Sequence, residues 1–443
     1  MLFRSYRFGH PLGSKTLFRD VRLLPPGSML TYDLASHFHK VDFYWNLLDL
    51  FPRIGARAAN GSVDDVVSSL ADAIAVRAND RDRLGLSLSG GLDSRAILAA
   101  LWPRTTGLPT YTLGQPGCMD QRVAFQLARI AKTLHTFLPI GKEQLAGYET
   151  MAREMLRLSE GHYHPHECTE MVALEYFKRS PFKILLRGHG GEIAKAAEAY
   201  PVRYRAEATS LAPGAPTLDF IFQKANIVIR DADQSQLFAS RLRSVMIEGP
   251  YESLRKSCGS ASAWLQPADL CIYYYTNEFV RRLAVASLQI FRSQVEIRMP
   301  FLDEIFLEHL LKLPIASRTD GTIQIALIKR FMPPAVKVPN SNTGAPLDAG
   351  PIRLFLWDHM NVLLKRLNVP GFRHYTKFHE WYRSVFREAI RDIVFSERCR
   401  QRNLYDMQYL EAVFQNHISG RRDYGNLLGT IAGLELWFQQ FVD

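Results

Sequence analysis

The six residues Ser89–Ser94, with the sequence SGGLDS, have the composition of an anion-binding turn. They follow the apolar, strand-like run Leu84–Leu88 and precede the helical segment Arg95–Leu101. A strand that turns through two glycines into a helix presents backbone N–H groups and the positive helix end to an anion, and two serine hydroxyls add donors. Asp93 could hold a magnesium ion against phosphates, because hard oxygen ligands suit that ion. No lysine follows, so this is not the GxxxxGK phosphate loop.

A second glycine-rich turn, Arg187–Glu192, follows the apolar run Phe182–Leu186, which predicts another strand. The run Leu108–Leu113 predicts a strand between the two turns. Helical patterns separate these runs, and such strand–helix alternation predicts a parallel α/β sheet. Ligands of parallel sheets bind at the carboxyl ends of the strands, so we expect both glycine-rich turns to face one pocket.

Apolar residues at helical spacing predict helices over Asp64–Ala78, Gln121–Leu134 and Lys142–Leu158. Asp120 is placed to cap the second of these helices. A strand is predicted over Met29–Leu34, after a turn rich in proline and glycine.

The chain reads as helical from about residue 217 onward, with a long helix predicted over Ala268–Ile290 and another over Glu304–Leu313. Pro333–Gly350 is rich in proline, asparagine and glycine, and its length predicts a functional or mobile loop. Phe355–Val442 reads as a helical tail.

Composition sets outer limits on the class of protein. The 443 residues allow two or three domains, or one large α/β domain with appendages. The 47% hydrophobic and 22% charged residues exclude a disordered, collagen-like or minimal disulfide-scaffold chain. No apolar run reaches the roughly 18 residues of a membrane span, and the N-terminus lacks a secretory signal pattern, so we expect a cytoplasmic protein.

Cysteine usage and charge add two expectations. The five cysteines show no CxxC spacing, which predicts free thiols rather than a zinc or redox site. The 54 basic against 44 acidic residues give a net charge of +10, which favours anionic partners or means only a soluble basic surface.

Four stretches together resemble one enzyme family. SGGLDS is similar to the pyrophosphate-binding motif of the PP-loop ATP pyrophosphatases, and Glu296–Asp303 is similar to the E-x-R-x-P-F-L-D signature of asparagine synthetases. Leu24–Gly27, with Tyr44-Trp45 behind it, resembles the end of that family's glutaminase domain, and Leu434–Phe438 resembles the ending of related proteins. The resemblance spans nearly the whole chain.

The resemblance implies an α/β fold with a parallel-sheet PP-loop synthetase domain of the adenine nucleotide alpha hydrolase type, a helical C-terminal part and a short N-terminal β remnant. The implied boundaries are residues 1–55 for a glutaminase-like remnant, 56–350 for the synthetase domain and 351–443 for its helical extension. The implied activity is ATP- and Mg²⁺-dependent amide formation through an acyl-adenylate, with release of AMP and pyrophosphate.

The resemblance also implies site residues, position by position. The nucleotide would be held by Leu88, Ser89, Gly90, Gly91, Leu92, Asp93, Ser94, Leu113, Gly114 and Gly188. Magnesium would be held by Asp93 and Glu192, the latter standing where the family has an aspartate. The catalytic residues would be His189, Glu192 and Lys337.

Three departures from the family pattern matter for function. Met1 is followed by Leu2 rather than by the nucleophilic cysteine of the glutamine-hydrolysing members, so nitrogen is expected from ammonia, a substrate amine or a separate amidotransferase. His189 replaces the glutamate usually proposed as a base, and is read either as a base near neutral pH or as a positioning residue. The stretch Val338–Gly344 lacks the family's lysine, for which Lys337 or Lys329 is a candidate substitute.

Three other groups of polar residues are less specific, and more than one role is possible for the first two. His162, His164 and His166 alternate beside a glutamate and could bind a metal, line the acceptor pocket or form a plain polar loop. Arg281 and Arg282 could bind an anion or face solvent. A structural ion pair is expected between Arg298 and Asp303, the third and last residues of the signature.

The favoured function is an asparagine-synthetase-like ligase acting on a small-molecule or peptide carboxylate. Three alternatives remain: a lasso-peptide or β-lactam-type cyclase, a tRNA-modifying PP-loop enzyme, and an ATP-binding partner protein with impaired catalysis. A nucleic-acid partner is disfavoured by the Glu296–Asp303 signature, no membrane partner is expected, and a peptide-delivery partner is left open.

Overall fold

The computed structural model describes residues 6–52, 61–163, 165, 168–195, 206–225 and 227–443. The strands are β1 Ser28–Tyr32, β2 His39–Phe43, β3 Leu84–Ser87, β4 Pro109–Gly114, β5 Leu134–Pro139, β6 Ile184–Leu186 and β7 Glu296–Arg298. Among these residues, no helix combines the length and the apolar character that crossing a bilayer requires.

Helices form most of the rest of the described chain. They are α1 Val63–Arg77, α2 Leu92–Leu101, α3 Met119–Ala131, α4 Tyr148–Ser159, α5 Thr169–Arg179, α6 Ala206–Thr209, α7 Ala215–Lys224, α8 Asp231–Leu237, α9 Arg243–Ser262, α10 Pro267–Tyr274, α11 Val285–Arg292, α12 Glu304–Lys312, α13 Thr322–Phe331, α14 Pro351–Arg366, α15 Phe378–Arg383, α16 Arg387–Val394, α17 Glu397–Gln401, α18 Met407–Ile418 and α19 Gly425–Phe441. A π-helical segment, Tyr275–Ala284, joins α10 to α11. Short 3₁₀ turns cover Leu47–Leu50, Arg81–Arg83, Gly191–Ala194, Ser240–Leu242, Pro300–Leu302, Ile315–Arg318 and Pro333–Lys337.

A five-stranded sheet with the order β5-β4-β3-β6-β7 forms the centre of the molecule, and all four strand pairs are parallel. The predicted parallel α/β sheet is therefore confirmed. Helical crossovers join its strands, as parallel pairing requires. The predicted strands Leu84–Leu88, Leu108–Leu113 and Phe182–Leu186 correspond to β3, β4 and β6 within two residues.

The sheet separates two hydrophobic cores. In β6, the side chains of Ile184 and Leu186 belong to one core and that of Leu185 to the other, because successive residues of a strand point to opposite faces. The first core takes α1, α2, α12 and α13, which pack on one another. The second takes α4, α11, α16 and α19. The result is a three-layer arrangement whose helical C-terminal part completes the second core.

Two strands of the sheet were not predicted. β5 covers Leu134–Pro139, for which no strand was predicted; the helix predicted to end at Leu134 is α3, which ends at Ala131 because Lys132 adopts a left-handed cap. β7 is only three residues long and lies inside the Glu296–Asp303 signature. Both are edge strands, so their alternation of buried and exposed residues is weak.

The first described residues lie against the helical layer rather than in the sheet. The backbone N–H groups of Ile227 and Ile229 donate to the carbonyls of Arg7 and Tyr6, at 3.1 Å each. The predicted strand near Met29 is present as β1, which pairs with β2 in an antiparallel hairpin that is mostly exposed. The predicted boundaries at residues 55 and 350 stay predictions.

The long helix predicted over Ala268–Ile290 is divided by the π-helical segment into α10 and α11. Arg282 in this segment donates from Nε to the Pro11 carbonyl, at 3.0 Å, and from Nη2 to that of Lys15. Arg281 donates to the Gly13 carbonyl, at 3.0 Å. Arg282 is buried, so the predicted solvated face is wrong for it, and both arginines hold the N-terminal segment to the helix. The anion-binding alternative stays a prediction.

Candidate functional site

A cleft of about 570 Å³ opens at the carboxyl edge of the sheet. The structure brings together there five of the predicted nucleotide-binding and catalytic residues: Leu88, Ser89, Leu113, His189 and Glu192. They come from the ends of β3, β4 and β6, which are neighbours in the sheet. The two glycine-rich turns therefore face one cleft, as parallel-sheet topology predicts.

The Ser89–Ser94 turn leads from β3 into α2 as expected. The Ser89 and Ser94 hydroxyl oxygens lie 3.0 Å apart, and the Ser89 N–H donates to the Ser94 hydroxyl, also at 3.0 Å. Helix α2 begins after Gly91 without a side-chain cap, so the N–H groups of its first turn lack the usual internal acceptor. An uncapped helix start beside two hydroxyls can receive the oxygens of a phosphate group.

Asp120 contacts this turn, although the sequence predicted it as the cap of α3. Its Oδ1 accepts a hydrogen bond from the Gly90 N–H, at 2.9 Å, and another from the Ser341 hydroxyl, at 3.2 Å. The predicted cap of α3 by Asp120 is wrong, because the Cys118 sulfur occupies that position. Asp120 instead ties the glycine turn to the segment around Ser341.

The segment around Ser341 packs directly on the turn. The Ser341 N–H donates to the Gly90 carbonyl, at 3.0 Å. Arg95 is fully buried and donates to the carbonyls of Gly90, Val338 and Pro339, at 3.2, 2.8 and 2.6 Å. The predicted loop Pro333–Gly350 therefore packs against the Ser89–Ser94 turn and is held there by a buried arginine.

Asp93 points from α2 towards the second turn, and Glu192 lies close to it. Burial and the charge of Asp93 raise the pKa of the Glu192 carboxyl from 4.5 to about 7. Asp93 also accepts hydrogen bonds from Lys195 Nζ, at 2.8 Å, and from Gln324 Nε2, at 3.0 Å. A side chain at Gly191 would place its Cβ 2.4 Å from the Asp93 carboxyl carbon, so only glycine allows this approach.

The two carboxylates fit a magnesium ion that arrives with nucleotide phosphates. Mg²⁺ in such sites takes one or two carboxylates and completes its shell with phosphate oxygens and water. Burial, and then the charge of Asp93, disfavours the ionised form of Glu192, while Lys195 acts in the opposite direction. In the part of the chain that the structure describes, no cluster of three or more His, Cys, Asp and Glu residues could hold a metal by itself.

His189 is half-buried in the cleft and is neutral at physiological pH. Burial and the positive charge of Arg187 lower the pKa of its imidazole from 6.5 to about 3. A base with this pKa holds a proton poorly near pH 7, which favours the positioning role for His189 over the role of general base.

Lys337 is not brought to the cleft. Its side chain is 79% exposed and forms an ion pair with Asp348 on the surface, which contradicts the predicted catalytic role. A different lysine, Lys365 of α14, donates to the Ser341 carbonyl, at 3.0 Å. Burial lowers the pKa of Lys365, while the charge of Asp120 acts in the opposite direction. Lys365 is therefore a half-buried cation next to the segment that packs on the Ser89–Ser94 turn.

Three other residues that were predicted to bind the nucleotide lie behind the surface of the cleft. Gly188 lies against Asp93, where an added Cβ would come within 2.8 Å of the Asp93 Cβ. Gly114 packs on Cys118, and its carbonyl accepts from the Ile140 N–H, at 2.8 Å. Leu92 is buried at the start of α2.

The predicted ion pair between Arg298 and Asp303 is wrong. Arg298 pairs with Asp80 and Glu296, at 2.9 and 2.6 Å. Asp303 pairs with Arg77, at 2.8 Å, and caps α12 through the Phe306 N–H. The signature therefore connects β7, α12 and the end of α1 instead of closing on itself.

Of the histidine-rich loop, His164 and His166 lie outside the described residues. His162 is described, and burial together with Arg282 lowers the pKa of its imidazole. The neighbouring Tyr163 lines the cleft and donates to Glu170, at 3.0 Å.

Sequence reasoning missed several cleft residues. Arg187 stands in the second turn but was not singled out, and Lys195 carries no local pattern that marks it. The opposite wall, with Phe279, Leu283 and Phe291, comes from the π-helical segment and α11. The only signal in the sequence for that wall is its apolar spacing, which any core helix shares.

Comparison with known families agrees with this geometry. Residues 65–341 match the family model described as asparagine synthase, a range that holds both glycine-rich turns and the Glu296–Asp303 signature. No curated protein matches the chain. The matched range covers more than half of the 443 residues, so the chain belongs to the asparagine synthase family of ATP-dependent, amide-forming synthetases.

Proposed function

We propose that this protein adenylates a carboxylate with ATP at the Ser89–Ser94 turn and then joins the activated acyl group to ammonia or an amine. The observation that carries the proposal is the uncapped start of α2 beside the Asp93–Glu192 pair, both at the carboxyl edge of a family-matched parallel sheet. This arrangement supplies donors for pyrophosphate and oxygen ligands for the accompanying cation.

In the first step, a carboxylate oxygen of the acceptor attacks the α-phosphorus of ATP. The bond from that phosphorus to the oxygen bridging to the β-phosphorus breaks, and pyrophosphate leaves. Ser89, Ser94 and the first turn of α2 would receive the negative charge of the leaving pyrophosphate. Asp93 and Glu192 would hold Mg²⁺, which neutralises phosphate charge and orients the leaving group.

In the second step, the nitrogen of ammonia or an amine attacks the acyl carbon, the bond from that carbon to the phosphate oxygen of AMP breaks, AMP leaves, and the nitrogen gives a proton to water. His189, being neutral, would position the nucleophile rather than take the proton at equilibrium. The catalytic cation opposite the phosphates would be Lys365, which reaches Ser341 next to the turn.

The state of the five cysteines supports a nitrogen source other than glutamine hydrolysis by one of these cysteines. Glutamine hydrolysis of this kind needs a thiolate nucleophile. All five cysteines are buried, and burial raises the pKa of Cys118 to about 11 and of Cys271 and Cys399 to about 12. Such thiols stay protonated near pH 7 and are poor nucleophiles.

Product analysis tests the proposal. The protein is incubated with Mg²⁺·ATP, ammonium and a panel of carboxylates that includes aspartate, and AMP, pyrophosphate and amide are measured together. Equal amounts of all three support the proposal. The variant Asp93→Ala should abolish pyrophosphate release while the circular dichroism spectrum stays unchanged; unaltered release would refute the site assignment.

A nucleotide-binding protein without turnover is a second candidate, favoured by two specific contacts. Lys195 already neutralises Asp93, and Asp120 already occupies the Gly90 N–H. Both contacts must rearrange before these groups can serve a metal ion or a phosphate. Binding of ATP without cleavage, with every acceptor tried, would establish this reading.

A further inference from the structure

The floor of the cleft carries an arginine whose charge is not neutralised. Arg187 follows β6, and its Nη1 donates to the Ser87 hydroxyl, at 2.9 Å, and to the Tyr111 hydroxyl, at 2.7 Å. Both partners are uncharged. Its Nε and Nη2 groups have no acceptor among the described residues, although a guanidinium has five N–H donors. These remaining donors belong to a side chain that lines the cleft.

Three other interior arginines of the described chain have their charge or their donors satisfied within the protein. Arg318 is paired with Asp269, at 2.9 Å, and Arg402 with Glu435 and Asp443, at 2.6 Å each. Arg95 is surrounded by backbone carbonyls. A half-buried guanidinium that faces an open cleft with donors to spare is suited to a planar oxyanion, which it binds through two parallel hydrogen bonds.

The surroundings of Arg187 indicate what carries that oxyanion. Its guanidinium carbon lies 5.6 Å from the centre of the Phe291 ring. Phe279 and Leu283 continue the same wall towards the mouth of the cleft. A phosphate group gains nothing from an apolar wall, whereas an organic acid can place its hydrocarbon body there.

The charged groups of the cleft also bear on whether the acceptor is a dicarboxylate or a monocarboxylate. Of the other cations near the cleft, Lys195 is paired with Asp93, and Lys365, beside the Ser341 segment, is the one that the proposed function assigns to the phosphates. The described lining also contains Glu170, Asp120 and Glu192. Free aspartate would bring two carboxylates and an ammonium group but no apolar body, and this lining offers one arginine for the two carboxylates. An apolar monocarboxylate brings one carboxylate for Arg187 and a hydrocarbon body for the wall.

We infer that Arg187 binds the carboxylate of the acceptor, and that the acceptor is a monocarboxylic acid with an apolar or aromatic body, such as an acylated amino acid or a peptide end. This inference rests on the proposed function for its chemistry, but the binding site does not depend on turnover. Arg187 is then a determinant of acceptor specificity.

The test compares N-acetylphenylalanine, N-acetylphenylalaninamide and aspartate by calorimetry, with the protein held in complex with Mg²⁺ and α,β-methylene-ATP. The acid and its amide share one body and differ in charge. We expect the acid to bind at least about 10-fold more tightly than the amide and than aspartate, the size of effect typical of a charged hydrogen bond. Equal binding of acid and amide, tighter binding of aspartate, or no binding of the acid would overturn the inference.

Two variants localise the effect. Arg187→Met should weaken binding of the acid by about 10- to 100-fold, Arg187→Lys should restore part of it, and affinity for α,β-methylene-ATP should change less than about 2-fold. Arg292→Met, an exposed arginine at the end of α11, removes the same charge away from the cleft and should leave acid binding unchanged. Equal loss of nucleotide and acid binding in Arg187→Met would assign the arginine to the α-phosphate and refute the inference.

Exchange of labelled pyrophosphate into ATP separates this inference from the proposed function. Arg187-dependent acid binding without exchange supports the acceptor site and counts against adenylation. Exchange that depends on the acid but is as fast in Arg187→Met as in the parent protein supports adenylation and counts against the role of Arg187.

Discussion

The pair of carboxylates at the cleft predicts a variant that is more stable than the parent protein and less active. Glu192 has a pKa of about 7 in the folded protein, against 4.5 in the unfolded chain, because of burial and the charge of Asp93. Between these two pH values the unfolded chain ionises first, so the free energy of unfolding falls as the pH rises. Each unit of pKa corresponds to about 1.36 kcal/mol, so the loss approaches about 3 kcal/mol above pH 7.

Glu192→Gln removes this titration and keeps the size of the side chain. At pH 4.5 the variant and the parent should have similar stability, since the parent carboxyl is still protonated when folded. At pH 8 the variant should be more stable by up to about 3 kcal/mol. With about 2.1 cal/mol/K per residue for the entropy of unfolding and 443 residues, that corresponds to a rise of about 3 °C in Tm.

The assay is the Tm of both proteins at half-unit steps from pH 4.5 to 8, with and without Mg²⁺ and α,β-methylene-ATP. The metal–nucleotide complex should raise the Tm of the parent more than that of Glu192→Gln, because only the parent offers a second carboxylate. Pyrophosphate release should fall in the variant. Glu170→Gln is the matched control, an acid-to-amide change in the same cleft. A Tm difference between Glu192→Gln and the parent that does not grow with pH would refute the raised pKa of Glu192, which burial and the charge of Asp93 produce.

Three further predictions concern the same edge of the sheet. In Gly90→Ala the new Cβ would lie 2.5 Å from the Ser341 Cβ, so overpacking should cost about 1–3 kcal/mol and slow pyrophosphate release, as measured by melting and by a phosphate-coupled assay. Lys365→Met should raise the KM for ATP by about 10-fold, the effect of losing one charged contact, whereas the exposed neighbour Arg366→Met should not. His189→Gln should leave the shape of the pH–rate profile between pH 6 and 8 unchanged, because the pKa of the imidazole is about 3.

Each of these predictions has an outcome that contradicts it. Normal stability and normal rate in Gly90→Ala would mean that the Ser341 segment is not packed on the turn. An unchanged KM for ATP in Lys365→Met would remove this lysine from the phosphate site. An inflection near pH 6.5 that disappears in His189→Gln would show that the histidine titrates there and acts as a base.

The strand–turn–helix order around Ser89–Ser94 could be predicted because it is local. Apolar runs, glycines and helical spacing lie within a few residues of one another, and short-range sterics and hydrogen bonding decide such segments. The same holds for β4, β6 and α1, which the structure places within two residues of their predicted bounds. The edge strands β5 and β7 were missed because pairing with a neighbouring strand, not their own pattern, makes them strands.

The identities of the partners in the site depended on the tertiary structure. The sequence determined that SGGLDS would form a turn between a strand and a helix at the carboxyl edge of a parallel sheet. Only the fold decided that Lys195 neutralises Asp93, that Asp120 accepts from Gly90, and that Lys365 rather than Lys337 lies beside the turn. These contacts join residues 24 to 102 positions apart, and such pairings are fixed by how helices pack on the sheet and by the need to pair buried charges.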